Sequence, residues 1–393
     1  MKILQVIPAL SPSFGGTSAA VRALSKELAK RHEVVVYTTT ALDLKHDFES
    51  KEEEVDGYKI YYFSRAVKPL CYSNLFGQLN ISLDMMKAIK HGIREFDIVH
   101  VHSWRQFQDV IAHYYASKYN VPYVVQTHGS IARVGNKLRK LLYDSTFGYR
   151  ILGKASKVIA LNRVEAVHYK RMGVPEEKIA VIPNGIDLSE YAELPSKGSF
   201  KRKFNIPEDK KIILFLGRIH KSKGIDLLIK AYSYLKNEMK DGDTILVIAG
   251  PDDGYLNEAR NLATSLGLYN SVMFTGFISR KDKLRALVDA DVFVTPSFYG
   301  FPVTFLESCA VGTPIVTTSL GDTLEWIDGN AGFITQPIAR DVAEAIHRII
   351  SDDKLRRRFS RNCIEIVKSD FSIEKVVDRL VEVYKEVIKV RVS

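Results

Sequence analysis

Short apolar runs rich in β-branched and aromatic residues alternate along this chain with longer stretches whose apolar residues recur every three to four positions. The first kind of pattern predicts buried strands and the second predicts helices packed on them. In the first half the strand candidates are KILQVIPAL, HEVVVYTTT, YKIYYFS, DIVHVH, VPYVVQTHG, SKVIALN and KIAVIPNG. In the second half they are KIILFLGR, TILVIAG, VMFTGF, ADVFVTPS, TPIVTTS and AGFIT. Helices are expected over Ser18 to Arg31, Ile225 to Leu235, Pro302 to Val311 and Ser372 to Val390.

Strict alternation of this kind is the mark of α/β construction, here two doubly wound sheets. The break falls in residues 188–211, which are polar, charged and carry two prolines before a strand series restarts at Ile212. The expected domains are residues 1–190 and 200–371, with the amphipathic helix 372–390 returning to the first. A length of 393 residues suits two such domains. In open α/β sheets ligands bind beyond the C-terminal ends of strands. That rule draws attention to Gly15-Gly16-Thr17, His128-Gly129, Asn184-Gly185, Gly217-Arg218, Gly250, Gly276-Phe277 and Ser297 to Phe301.

Composition narrows the class. Apolar residues make up 46% and charged ones 26%, as in soluble globular proteins, and no apolar run is long enough to span a bilayer. MKILQVIPAL carries no signal-peptide cleavage pattern, and Cys71, Cys309 and Cys363 form neither a disulfide framework nor a zinc site, so a cytoplasmic location is expected. The net charge is +10, with nine basic and two acidic residues between 101 and 157. A patch of that sign attracts phosphates.

Three places carry chemistry. Paired glycines at Gly15-Gly16, opening a helix, let a backbone approach an anion, although this is not a dinucleotide fingerprint. Arg218, with Lys223-Gly224 five residues on at the start of a helix, supplies a fork-shaped guanidinium and an ammonium suited to a pyrophosphate. Glu307 stands in an otherwise apolar helix, where a carboxylate costs several kcal/mol unless something pairs with it. Three other patterns are read as structural. Asp289-Ala290-Asp291 is explained by capping and solvation, His100-Val101-His102 by a buried or hydrogen-bonded pair rather than a metal site, and Asp252-Asp253-Gly254 by a turn.

Pro183-Asn184-Gly185-Ile186-Asp187, Gly217-Arg218…Lys223-Gly224 and Pro296-Ser297…Glu307…Gly312-Thr313-Pro314 together resemble the retaining glycosyltransferases of family 4. The resemblance spans nearly the whole chain. It implies the GT-B fold, two Rossmann-like domains facing a central cleft, and a nucleoside-diphosphate sugar held mainly by the second. No metal or other cofactor is implied, and no nucleic acid. In that family's terms Glu307 would accept the ribose hydroxyls, while Arg218 and Lys223 would stabilise the departing diphosphate. Gly16, with Gly15 and Thr17, would lie at the phosphate and acceptor, and His128 near the transferring sugar. Tyr299, Gly300 and the backbone of Phe301, Pro302, Val303 and Thr304 would face sugar and phosphates. Gly250 would lie on the donor side, and Phe277 and Ile278 would edge the base.

The chain departs from the family at Tyr299, where the first glutamate of a Glu-x7-Glu motif is expected, and at Pro302, where glycine is common. A tyrosine can hydrogen-bond or stack on a sugar but brings no carboxylate charge at neutral pH. The expected activity is transfer to a hydroxyl acceptor, a growing glycan or a lipid-linked one. Basic residues interleaved with Leu138, Leu141, Leu142, Tyr143 and Phe147 suggest peripheral contact with an anionic membrane. The alternatives are a catalytically silent sugar-nucleotide-binding partner and a GT-B nucleotide-sugar epimerase.

Overall fold

A computed structural model describes residues 1–11, 14–42, 46–65, 80–133, 135–240, 242–322 and 324–392. Cys71 lies outside them. The chain divides into two compact units, one of residues 1–186 with 373–393 and one of residues 187–372.

The first unit is built on an eight-stranded sheet. Its strands are β1 (Lys2–Val6), β2 (Glu33–Thr39), β3 (Glu52–Val55), β4 (Tyr58–Phe63), β5 (Ile98–Val101), β6 (Tyr123–Gln126), β7 (Lys157–Ala160) and β8 (Ile179–Val181). Their order is β3-β4-β2-β1-β5-β6-β7-β8, all parallel except β3. β3 is the strand the hydrophobic pattern does not reveal, because three of its four residues are glutamates exposed at the sheet edge. The signal that could have found it is Asp56-Gly57. Both residues have positive φ (51° and 82°), as a two-residue hairpin turn requires.

The second unit carries β9 (Lys211–Leu216), β10 (Thr244–Ala249), β11 (Val272–Gly276), β12 (Ala290–Phe298), β13 (Ile315–Gly321) and β14 (Gly332–Thr335). The order β11-β10-β9-β12-β13-β14 is that of the doubly wound nucleotide-binding sheet. Every residue of β12 is buried, as expected for a central parallel strand covered on both faces. The polar segment after Asp187 belongs to this unit: its short helix Ser199–Lys203 buries Phe200, stacked on Phe204 at 4.3 Å.

Helix Ile373–Val392 packs on the first unit. Val376, Val377, Leu380, Val381, Tyr384 and Val387 are buried in a cluster with Ile3, Val34, Val36 and Ile98 of its sheet. Arg31–Asp378 (2.7 Å) and Lys157–Glu386 (2.8 Å) pair across the same surface.

Candidate active site

In each sheet the strand order reverses at one point, between β1 and β5 in the first unit and between β9 and β12 in the second. The crevice outside the strand ends at such a point is where doubly wound sheets bind ligands. The sequence-predicted residues gather at both places.

In the second unit, β9 ends at Gly217-Arg218 and β12 at Tyr299-Gly300. Lys223 closes a short 3-10 turn, and Gly224, at φ 69°, passes the chain into helix Ile225–Asn237 with its Cβ position 3.0 Å from Pro296. Burial lowers the Lys223 ammonium pKa, and the neighbouring Arg218 cation lowers it further. Among the described residues no carboxylate pairs with Lys223. Arg218 is exposed and pairs with Asp253 at 2.5 Å. The Asp252-Asp253-Gly254 turn is real: Asp252 accepts from the amides of Gly254, Tyr255 and Leu256. It also holds Asp253 against Arg218, a contact the sequence does not announce.

Glu307 lies in helix Val303–Ala310, which begins one residue after Pro302. Only 8% of it is exposed. Its carboxylate is not alone, as the sequence suggested, because Lys283 donates to Oε1 at 2.5 Å. Burial raises the Tyr191 phenol pKa, and the nearby Glu307 carboxylate raises it further. Lys283 comes from another helix, so spacing could not predict it. Upstream, Tyr299 is 41% exposed. Gly300 donates its amide to the buried Asp322 carboxylate at 2.6 Å. Phe301 turns its ring into an aromatic cluster with Trp326 and Phe371. Val303 and Thr304 form the first helical turn, whose N–H groups have no helical acceptor.

Two more predicted residues follow strand ends. Phe277, after β11, is 79% exposed, with Ile278 half-buried beside it. Gly250, after β10, has a packing reason to be glycine, since a Cβ there would lie 1.9 Å from the Gly217 carbonyl oxygen.

In the first unit, Gly15 and Gly16 are exposed at the start of helix Gly16–Ala29, and a Cβ on either would meet nothing within 4 Å. Thr17 is half-buried in the same turn. His128, just past β6, holds a φ of 49°, a backbone conformation uncommon for a non-glycine residue and often found at functional sites. The turn is held by Glu165, which the sequence reading missed. It accepts from Thr127 Oγ1 (2.6 Å), Gly129 N (2.7 Å) and Leu161 N (2.7 Å). A buried acid three residues after the helix-capping Asn162 was the available signal.

His100 and His102 are buried and hydrogen-bonded, as expected of that pair. His100 Nδ1 meets the Tyr384 hydroxyl at 2.6 Å, and His102 bridges Gln5 and His128, the latter at 3.0 Å. Burial forces all three imidazoles toward the neutral form, holding His100 and His102 well below the ordinary value and His128 at about 3. With Gln5 Oε1 accepting from His102 Nε2–H, His102 Nδ1 accepts from His128 Nε2–H. His128 Nδ1 is then an acceptor, shielded from solvent and without a partner among the described residues.

One reading is corrected. Asp289 and Asp291 are buried rather than solvated. Asp289 accepts from the amides of Gly198, Phe200 and Lys201, capping a distant helix, and Asp291 accepts from Ile212 N. Among the described residues no group of three or more His, Cys, Asp or Glu is placed to hold a metal.

The family model for Glycosyltransferase Family 4 matches residues 14–190, and that for Glycosyl transferases group 1 matches residues 196–365. The chain is a family 4, group 1 glycosyltransferase. This glycosyltransferase is 27% identical to an uncharacterized glycosyltransferase of Methanocaldococcus jannaschii over 98% of each chain. It is also 27% identical to the UDP-Gal:alpha-D-GlcNAc-diphosphoundecaprenol alpha-1,3-galactosyltransferase of Escherichia coli, over 82% of this chain and 83% of that one. Among solved structures it shares the fold of Anabaena HepE, crystallised with UDP and glucose, at a TM-score of 0.79 and 20% identity, covering 98% and 100% of the two chains. Its two parallel-sheet units are those of the GT-B glycosyltransferases.

Proposed function

We propose that this glycosyltransferase moves a sugar from a nucleoside-diphosphate sugar to a hydroxyl acceptor with retention at the anomeric carbon and without a metal. The observation that carries the donor reading is Lys223, a desolvated ammonium with no carboxylate partner among the described residues, beside the Arg218 guanidinium at the strand reversal of the second unit. Two cations at one strand end repel each other until an anion arrives, and a diphosphate is an anion of the right span and charge. As the anomeric C–O bond breaks, negative charge builds on the leaving phosphate, and preorganised cations stabilise that charge more than the ground state. In this reading Glu307 binds the ribose hydroxyls, and the backbone from Phe301 to Thr304 meets the sugar and phosphates. Tyr299 and Gly300 line the sugar, Phe277 and Ile278 the base, and Gly250 lends close packing. His128, Gly15, Gly16 and Thr17 serve the acceptor side. HepE, solved with UDP and glucose, supports a uridine donor.

A lipid-linked acceptor is supported by the relative named for a diphosphoundecaprenol substrate and by helix Lys137–Tyr143. That helix exposes Leu138 by 78% and Leu141 and Leu142 by 45% and 64% among lysines and an arginine. Apolar side chains with basic neighbours suit an anionic bilayer surface. Two of the basic residues counted for that patch do other work: Arg105 and Arg133 share the buried Asp144. No described helix is long and apolar enough to cross a membrane.

The test is product analysis after incubation with UDP-, GDP- and ADP-sugars and a membrane-lipid extract. The proposal expects a new glycosidic bond whose anomeric configuration, read by NMR coupling, matches the donor. An inverted linkage, or an epimerised donor with no linkage, would contradict it.

A further inference from the structure

Glu307 is reached by a side chain from outside its own helix. Lys283, in helix Arg280–Asp289, donates to Oε1 at 2.5 Å. Arg280, on the same helix, is ion-paired with Glu190 in the turn Leu188–Tyr191, so the helix that carries Lys283 is held from a second side. Glu190, Tyr191, Arg280 and Lys283 also line a cavity of about 380 Å³, so there is open volume beside the cluster.

An ionised carboxylate offers about four lone-pair sites. One is used by Lys283, which leaves at least two for a ligand. Two acceptor sites on one fixed carboxylate match a pair of neighbouring hydroxyls, such as those on a ribose ring. Without that donor Glu307 would keep its side-chain freedom and could turn those sites away.

We propose that Lys283 is a positioning residue for donor recognition: it fixes the Glu307 carboxylate so that it reads the vicinal hydroxyls of a ribose and discriminates against a 2′-deoxyribose. This rests on the reading of Glu307 as the ribose-binding acid. A site built to hydrogen-bond a hydroxyl rejects the analogue lacking it, and that rejection is only as strong as the site is rigid.

The test is calorimetric. The tightest binder among UDP, GDP and ADP is titrated into the full-length protein, then its 2′-deoxy counterpart, and the ratio of the two Kd values is the readout. The parent should favour the ribonucleotide by about tenfold or more. Lys283→Gln should reduce that ratio by about threefold or more, Lys283→Arg should largely restore it, and Glu307→Gln should remove it. Circular dichroism verifies the fold of each variant.

If Glu307→Gln removes the preference while Lys283→Gln keeps it within a factor of about 1.5 of the parent, the positioning role is overturned and the Glu307 assignment stands. Equal weakening of both nucleotides in the Lys283→Gln variant, with the ratio unchanged, also overturns it, because that is what a merely structural contact would give. If Glu307→Gln itself keeps the preference, the ribose assignment falls and the positioning role falls with it.

Discussion

The two strand reversals have the same topology and opposite chemistry. Between β1 and β5, and at the end of the neighbouring β6, the side chains are neutral: His102 links Gln5 to His128, and His100, whose ring lies against that of His102, meets the Tyr384 hydroxyl. Between β9 and β12 they are two cations, one with no carboxylate partner among the described residues, and the helix after β12 carries an acid held by Lys283. Topology alone places a crevice; the side chains decide whether it suits a neutral hydroxylic ligand or a phosphorylated one. Such a division is what a transferase with an uncharged nucleophile and an anionic leaving group needs.

The sharpest way to break this contrast is to remove the unpaired cation. Lys223→Ala should lower turnover about 10²–10³-fold at saturating donor, the cost of one preorganised charge contact. Its melting temperature should hold or rise, because burial and Arg218 depress the Lys223 pKa and the charged form is thus disfavoured in the fold. Turnover within about threefold of the parent would remove the contrast.

Acid should act first on the neutral unit. The folded pKa values of His100, His102 and His128 lie below the unfolded value near 6.5. Their contribution is present above that value and is lost as pH falls, because the unfolded chain then binds the extra protons. At pH 5.5 the loss is on the order of 1 kcal/mol per imidazole. Asp109 works against this with one carboxyl, raised to about 6 by burial, which favours the fold as pH falls. The net effect remains destabilising. Urea unfolding at pH 7.5 and 5.5 should show the first unit's transition moving to lower denaturant, and an unmoved transition would contradict the assigned neutral forms.

Asp253→Asn probes a smaller effect. The Asp253–Arg218 pair is exposed, and such pairs contribute about 0–1 kcal/mol. Freeing Arg218 should tighten nucleoside-diphosphate binding by at most about fivefold, measured by calorimetry. Weaker binding would mean that Asp253 orients Arg218 for the ligand.

Much of this was legible in the chain. The apolar runs located all of the strands except β3, whose glutamates face solvent and so leave no hydrophobic trace. Strand ends and glycine pairs led to both strand reversals, because a tight turn after a strand leaves a local signature. The partners did not show. Lys283, Asp253 and Asp322 reach their sites from other segments, and no periodicity encodes a contact between distant stretches. Asp289 does act as a cap, as expected, but it is buried rather than solvated, because the amides it accepts from, those of Gly198, Phe200 and Lys201, belong to a helix far away in sequence.

The central claim is that the second unit's strand reversal is a diphosphate site built on Lys223. Calorimetry with UDP, GDP and ADP against their monophosphates tests it most directly. The account predicts that the best diphosphate binds at least about tenfold tighter than its own monophosphate, a difference worth about 1.4 kcal/mol, and that Lys223→Ala erases the difference. Equal affinity for mono- and diphosphate, or a preference that survives Lys223→Ala, would contradict it.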